Sequence, residues 1–302
     1  MRVCMAASVI FRSAPAPPQP FRVGELLGSE SMESLNALDS WPVDNVAASI
    51  IADGAVSSHG DVDHVFEIMS VTKLVTAYAF LIAIEEGVFE LDTPLGPEGA
   101  TVRHLLAHAS GLAFGSPVVE RPVGDRRIYS SAGFDVLAHA VEEETEMPFA
   151  QYLREAVLMP LGMESSGLHG SAGHAMRSTV ADLTRFAGEL LDPTLVARQT
   201  LDEAFTVQYP DLIGTVPGYG MQKPCPWGLG FEIKGTKAPH WTGTTMPENT
   251  IGHFGYSGTF LWVAPGTGRA GVVLTDRYFD AWAKPLWTEF NDAVWAELER
   301  GV

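Results

Sequence analysis

The chain has 302 residues, of which 46% are hydrophobic, 10% aromatic and only 19% charged, the balance of a globular protein with a large core and not of a disordered one. Its lysines and arginines are outnumbered by aspartates and glutamates to a formal net charge of −18, which repels nucleic-acid backbones and anionic membrane surfaces and sets both aside as partners. The cysteines, Cys4 and Cys225, cannot make a disulfide framework, and no apolar run reaches the length of a membrane span.

In chain order, residues 1–20 (MRVCMAASVIFRSAPAPPQP) join Arg2, a short apolar run and small residues in the outline of a secretion signal that Arg12 interrupts. The expectation is a disordered leader and a cytoplasmic protein, with secreted or periplasmic location as the alternative. Residues 21–302 are expected to form a single unit, sheet-forming over about 21–69 and 215–302 and mainly helical over about 70–214. Between residues 45 and 69, NVAASIIADG and HVFEIM read as the two strands of a hairpin. From Ser70 the period becomes helical, with Leu74, Val75, Tyr78, Leu81 and Ile82 in register. The segment is apolar nearly all round, hence central, and ends near Gly87.

Thr101 opens a short helix in TVRHLLAHASGL, and Ser130 or Ser131 caps another in SSAGFDVLAHAVEEE. PFAQYLREAVLMPLGM and STVADLTRFAGELL carry the same period, the second with Thr179 and Asp182 at capping-box spacing. After about residue 225 the short runs WGLGFEI, NTIGHFGYSGTFLWVA and AGVVLTDR are β-rich, PGTG turns between the last two, and WAKPLWTEFNDAVWAEL supplies a closing helix. Strands on both sides of a helical block predict an α+β fold, one sheet built from both ends of the chain with the helices inserted between.

Lys73 stands one helical turn after Ser70, at the mouth of the most apolar segment. A buried lysine is tolerated only if paired, neutralised or used. Serine in the first turn of a helix has free backbone N–H groups and the positive end of the dipole beside any oxyanion it creates, and lysine at i+3 reaches its hydroxyl. If burial depresses the lysine, its neutral amine can accept the serine proton. Ser-x-x-Lys alone is a weak signal, equally a helix cap followed by a lysine that reaches solvent.

Three motifs in order strengthen it. SVTK at 70–73, YSS at 129–131 and HFG at 253–255 resemble the active-site motifs of the serine β-lactamase and penicillin-binding superfamily. RHLLAHASGL, PLGM, STVADLTRFAGELL, GHFGYSGT and VVLTDR look like landmarks of class C β-lactamases and their relatives, the family VIII carboxylesterases and D-amino-acid-releasing peptidases, with similarity from about Val46 to Arg277. The resemblance implies a β-lactamase/transpeptidase-like fold, an antiparallel sheet flanked by helices with the active site where sheet and helical region meet. It implies Ser70 as nucleophile, Lys73 as its proton partner, Tyr129 as the phenolate-like base or acid that shuttles a proton to the leaving group, and the backbone N–H groups of Ser70 and Tyr256 as the oxyanion hole. Ser131, His253 and Gly255 become substrate-binding positions. No metal or organic cofactor is required.

Two positions depart from the β-lactamase pattern. Ser131 stands where class C enzymes usually have asparagine, and is shorter and better suited to N-capping. His253 replaces the lysine that helps hold the β-lactam carboxylate, so carboxylate recognition should weaken. Esterase-like relatives often carry histidine there, which points to small acyl esters. The expected function is a serine hydrolase working through a covalent acyl-enzyme on an ester, amide or β-lactam, most simply a carboxylesterase. The alternatives are a weak β-lactamase or D-alanyl-D-alanine carboxypeptidase or D-aminopeptidase, and, from another class, a non-catalytic binding module. Oligomeric state is not readable. His104 and His108 have the i, i+4 spacing of a metal pair, but Leu105 stands where a zinc protease motif has glutamate, so both are assigned structural roles, one pinning a loop. Trp227, Trp241, Phe114 and Tyr219 are candidates for pocket wall or core.

Overall fold

Near-continuous apolar runs, buried on both faces, build the central strands of the main sheet. The computed structural model describes residues 32–52 and 54–301, so the expected leader, Cys4 and residues 21–31 lie outside the described residues. In chain order the elements are β1 (Val46–Ala52), β2 (Ala55–His59), β3 (Phe66–Glu67), α1 (Thr72–Glu85), α2 (Val102–Leu106), α3 (Ser131–Thr145) and α4 (Phe149–Leu153). They continue with β4 (Gly167–Leu168), β5 (Met176–Ser178), α5 (Val180–Leu191), α6 (Arg198–Ala204), β6 (Gly214–Val216), β7 (Gly220–Gln222), β8 (Glu232–Ile233), β9 (Ile251–Gly255), β10 (Thr259–Ala264), β11 (Arg269–Thr275) and α7 (Ala283–Arg300). The main sheet has six strands in the order β2-β1-β11-β10-β9-β8, every pair antiparallel, so strands from the two sides of the helical block lie side by side.

Because side chains alternate across a strand, each face feeds a different core. Ala47 and Ile51 of β1, Leu261 and Val263 of β10, and Ala270, Val272 and Leu274 of β11 face the helical block, where α5 lies across the sheet. Ala48 and Ile50, Phe260 and Trp262, and Val273 point the other way, against Trp287, Phe290 and Val294 of α7. In α1 every residue from Thr72 to Ala83 is buried, as its all-round apolar text predicts. No helix among the described residues is long and apolar enough to cross a membrane.

Two local expectations are corrected and a third is refined. The hairpin pairs β1 with β2, because Gly54 takes a φ of +80° and turns the chain straight back; HVFEIM supplies only β3, which joins β5 and β4 in a separate sheet. The polar text of β2, AVSSH, hid it, since an edge strand needs few apolar side chains. PFAQYLREAVLMPLGM is helical as expected but changes type, α-helical over Phe149–Leu153 and π-helical over Arg154–Leu158. The capping box at α5 is half formed: Thr179 accepts from the Asp182 N–H at 3.1 Å, while the Asp182 carboxylate turns to Ser165, Ser166 and Arg185.

Gly230 wedges the segment before β8 against α1: its φ is +88°, and a Cβ there would stand 2.1 Å from the Cβ of Ala77. Gly230→Ala is expected to cost about 1–3 kcal/mol by overpacking, more with the left-handed backbone included, read as a lower urea midpoint at unchanged m-value.

Candidate active site

Ser70 lies in the 3-10 turn Met69–Val71 that leads into α1. Met69, just before it, has a φ of +42°, a left-handed conformation that a non-glycine residue holds only when its surroundings impose it. They do so from across the sheet. The hydroxyl of Ser257 donates to the carbonyl of Glu67 at 2.5 Å and that of Thr259 to the carbonyl of Ile68 at 3.2 Å, so the turn between β9 and β10 staples down the segment leading into Ser70. Gly255 permits the approach, because a Cβ there would stand 2.3 Å from the Ile68 carbonyl oxygen. Gly255 thus packs under the segment that carries Ser70, and the cavity is lined on this strand and turn by His253, Phe254 and Tyr256.

The side chain of Lys73 is fully buried. Its Nζ lies 2.7 Å from the carbonyl of Gly173, 2.9 Å from Oγ of Ser131 and 3.3 Å from Oγ of Ser70, and 4.6 Å above the Tyr129 ring. Burial pulls its pKa from 10.5 down to about 7, with the nearby Asp135 carboxylate opposing. A neutral amine has two N–H bonds and one lone pair. The Gly173 carbonyl takes one N–H, Ser131 the other, and the lone pair is left for the Ser70 hydroxyl. Gly173 must be glycine to come so near, since a Cβ would stand 2.8 Å from that of Ser131, and its loop is held by Asp135, which accepts from the Ala172 N–H at 3.0 Å. The capping expectation for Ser131 is corrected: Ser130 is the cap of α3, accepting from the Gly133 N–H, and Ser131 is free to face Lys73.

Tyr129 and His253 join this group. The Tyr129 hydroxyl is buried beside Ser70 without reaching an acceptor at hydrogen-bond geometry. Burial pushes the phenol well above its ordinary range, proximity to Ser70 offsetting only part of the shift. His253 lies past the last residue of β9 that β8 covers, with its ring 5.4 Å from that of Tyr129. Burial, and then the positive charge of Lys73, pull its pKa down to about 4. Its Nδ1 is 2.6 Å from the carbonyl of Phe254, which can only accept, so Nδ1 carries the proton and the buried Nε2 presents a lone pair.

His104 and His108 are not on one helix face, because α2 ends at Leu106 and His108 takes a φ of +55°. His104 bonds Thr101 and stacks on Tyr209. His108 pins the Tyr129 loop: its carbonyl accepts from the Ile128 N–H at 2.9 Å and its Nδ1 from the Ser130 N–H at 3.1 Å. Trp227 packs edge-on to His253 with Lys237 5.4 Å from its own ring. Phe114 is 59% exposed and walls the cavity, whereas Tyr219 and Trp241 are core residues.

The cavity in front of Ser70 measures about 1050 Å³ and is walled largely by Met69, Phe114, Pro217, Phe254, Phe279 and Pro285. Its polar lining comes from Ser70, Tyr129, Ser131 and His253, and also from His174, Asp280 and Lys284. Gly173, Asp135 and His108 are contributors that sequence reasoning did not single out for this site. The only available signal was that GSAGHAM places glycines amid helical text; nothing in the sequence said that a carbonyl there would meet a lysine 100 residues away.

Residues 43–290 match the family model described as Beta-lactamase. A solved structure of a beta-lactamase (Mb2281c) from Mycobacterium bovis is 51% identical, superimposes with a TM-score of 0.87 and covers 88% of this chain and 99% of its own. The D-alanyl-D-alanine-carboxypeptidase/endopeptidase AmpH of Escherichia coli is 27% identical over 40% of this chain and 41% of its own length, so the match spans less than half of that relative. Esterase EstB of Burkholderia gladioli is 23% identical over 78% of this chain and 83% of its own.

The depressed lysine makes stability depend on pH with a definite sign. Between about 7 and 10.5 the unfolded chain holds a proton on Lys73 that the folded chain does not, so wild-type stability gains from this group as pH rises through that window. Lys73→Met removes the contribution. Urea unfolding at pH 7 and pH 9 should show the wild type gaining about 2 kcal/mol more than the variant over the interval; equal gains would refute a depressed Lys73.

Proposed function

We propose that this chain, which belongs to the beta-lactamase family of serine hydrolases, is a carboxylesterase that favours esters with a neutral, apolar acyl group. One observation carries the choice among family activities: the imidazole of the third motif, beside Tyr129, is buried and neutral, so the cation that would hold a carboxylate at this position is missing. The Burkholderia gladioli relative, an esterase, supports the same reading.

In this mechanism the neutral amine of Lys73 takes the Ser70 proton as Oγ attacks the ester carbonyl. The backbone N–H groups of Ser70 and Tyr256 hold the developing oxyanion. Tyr129 works as a neutral phenol: it gives its proton to the leaving alkoxide and recovers one from the Lys73 ammonium. A phenolate base at this position is disfavoured, because burial raises the phenol while it lowers the amine. Water then attacks the acyl-enzyme by the same proton path in reverse and releases the acid. The descriptions of the Mycobacterium bovis and Escherichia coli relatives favour a second reading, in which β-lactams or D-alanyl peptides are cleaved by the same groups.

Ser70→Ala is expected to fold normally while losing about 10³-fold or more of ester turnover and the fluorophosphonate adduct on this residue; undiminished activity would exclude Ser70 as nucleophile. In the wild type, kcat/KM should fall about tenfold per pH unit below about 7, as Lys73 takes up the proton that disables it as a base.

His253→Lys restores a cation at the third motif. Acylation by benzylpenicillin, relative to hydrolysis of a short acyl ester, should rise by about tenfold, the worth of one charge-assisted hydrogen bond. An unchanged ratio would show that the imidazole is not what sets substrate preference.

A further inference from the structure

A second cavity, of about 380 Å³, adjoins the first and shares Phe114, Tyr129 and Pro217 with it. Its lining includes Arg121 and Arg126. These belong to a group of three arginines within residues 121–127 of a chain whose net charge is −18. The third, Arg127, is buried and fully engaged: it donates to the carbonyls of Cys225 at 2.6 Å and Gln208 at 2.9 Å, and to that of Ala107. That clamp fixes the backbone from which Arg126 is displayed. Arg121 is fixed from another direction. Its N–H reaches the carbonyl of Gly111, and Gly111, with a φ of +81°, has no room for a side chain because a Cβ would stand 2.0 Å from the Arg121 carbonyl oxygen.

The Arg126 guanidinium is under-used, while Arg121 stands exposed beside it on the cavity lining. Nε of Arg126 is buried without a hydrogen-bond acceptor, and Asp125, which forms a loose ion pair with it at 3.8 Å, is too far to supply one. Glu120 also lines the cavity, but among the described residues no ion pair joins it to either arginine. A buried donor left unpaired costs more than a hydrogen bond to it gains, so a ligand that supplies the acceptor is bound with advantage. A carboxylate fits best, since guanidinium groups present paired donors in the plane that a carboxylate accepts.

We infer that Arg121 and Arg126 form an anion subsite for a carboxylate carried on the leaving-group half of the substrate. This rests on the ester reading above, which places Tyr129 at the leaving oxygen; Tyr129 is also the wall between the two cavities. The acyl half then occupies the apolar cavity, while the arginines provide, on the other side of Tyr129, the positive charge that His253 does not.

The test compares phenyl acetate with 3-carboxyphenyl acetate in the wild type, Arg121→Ala, Arg126→Ala and the double variant. The ratio of kcat/KM for the charged ester to that for the neutral one should fall by about tenfold in each single variant and further in the double, and less steeply at high salt. A ratio unaltered by the substitutions overturns the subsite. Calorimetry with 3-hydroxybenzoate, the phenol released from the charged ester, separates this inference from the ester reading. Arginine-dependent binding upholds the subsite even if neither ester is turned over by the folded protein, a result that would instead sink the ester reading. Binding that is absent, or equal in wild type and double variant, overturns the subsite whatever the turnover.

Discussion

The site depends on an amine kept out of water. Lys73 can serve as the proposed base only because α1 is buried over its whole first three turns, and it can be tolerated there only because three oxygens meet it: the Gly173 carbonyl and the hydroxyls of Ser131 and Ser70. Each partner is secured by a further arrangement. Gly173 is small enough to touch Ser131, its loop is anchored on Asp135, and Ser130 takes over the capping of α3 so that its neighbour can serve the lysine. One desolvated group thereby dictates the residue types of three separate segments.

The same desolvation acts in opposite directions on the neighbours. It favours the neutral form of every titratable group, so it lowers Lys73 and His253 and raises Tyr129. The outcome is a site that can be free of formal charge at rest, with the proton positions fixed by backbone partners: Phe254 for His253, the Ser130 N–H for His108. Charge appears when the chemistry creates it, which is where preorganised donors are most effective.

Much of this was legible in the sequence. The run after Ser70 had to be buried because no face of it is polar, and the order of SVTK, YSS and HFG brought Ser70, Lys73, Tyr129, Ser131 and His253 into one proposed site before any contact was known. The β10–β11 turn and the cap at Thr179 followed from local chemistry. What escaped was set by tertiary contact. AVSSH becomes a strand because β1 offers its backbone an edge, the choice between Ser130 and Ser131 as cap was decided by a lysine on another helix, and His104 and His108 parted because α2 stops between them. Arg127, which organises the wall behind Tyr129 through carbonyls of three distant segments, has no local signature at all.

The staple beneath Ser70 has a consequence for how the molecule is made. Thr259 and the Ile68 carbonyl it holds are separated by 191 positions, and β1 pairs with β11 across almost the whole chain. Loop-closure entropy for such contacts must be met before any of them is rewarded, which places assembly of the main sheet late and makes it slow. A ribosome that has delivered α1 but not β9 and β10 has therefore produced the serine and the lysine without the brace that sets Met69 in its left-handed turn. The turn that presents Ser70 is completed with the last strands, and a chain cut short before them carries Ser70 and Lys73 without the arrangement on which their proposed chemistry depends.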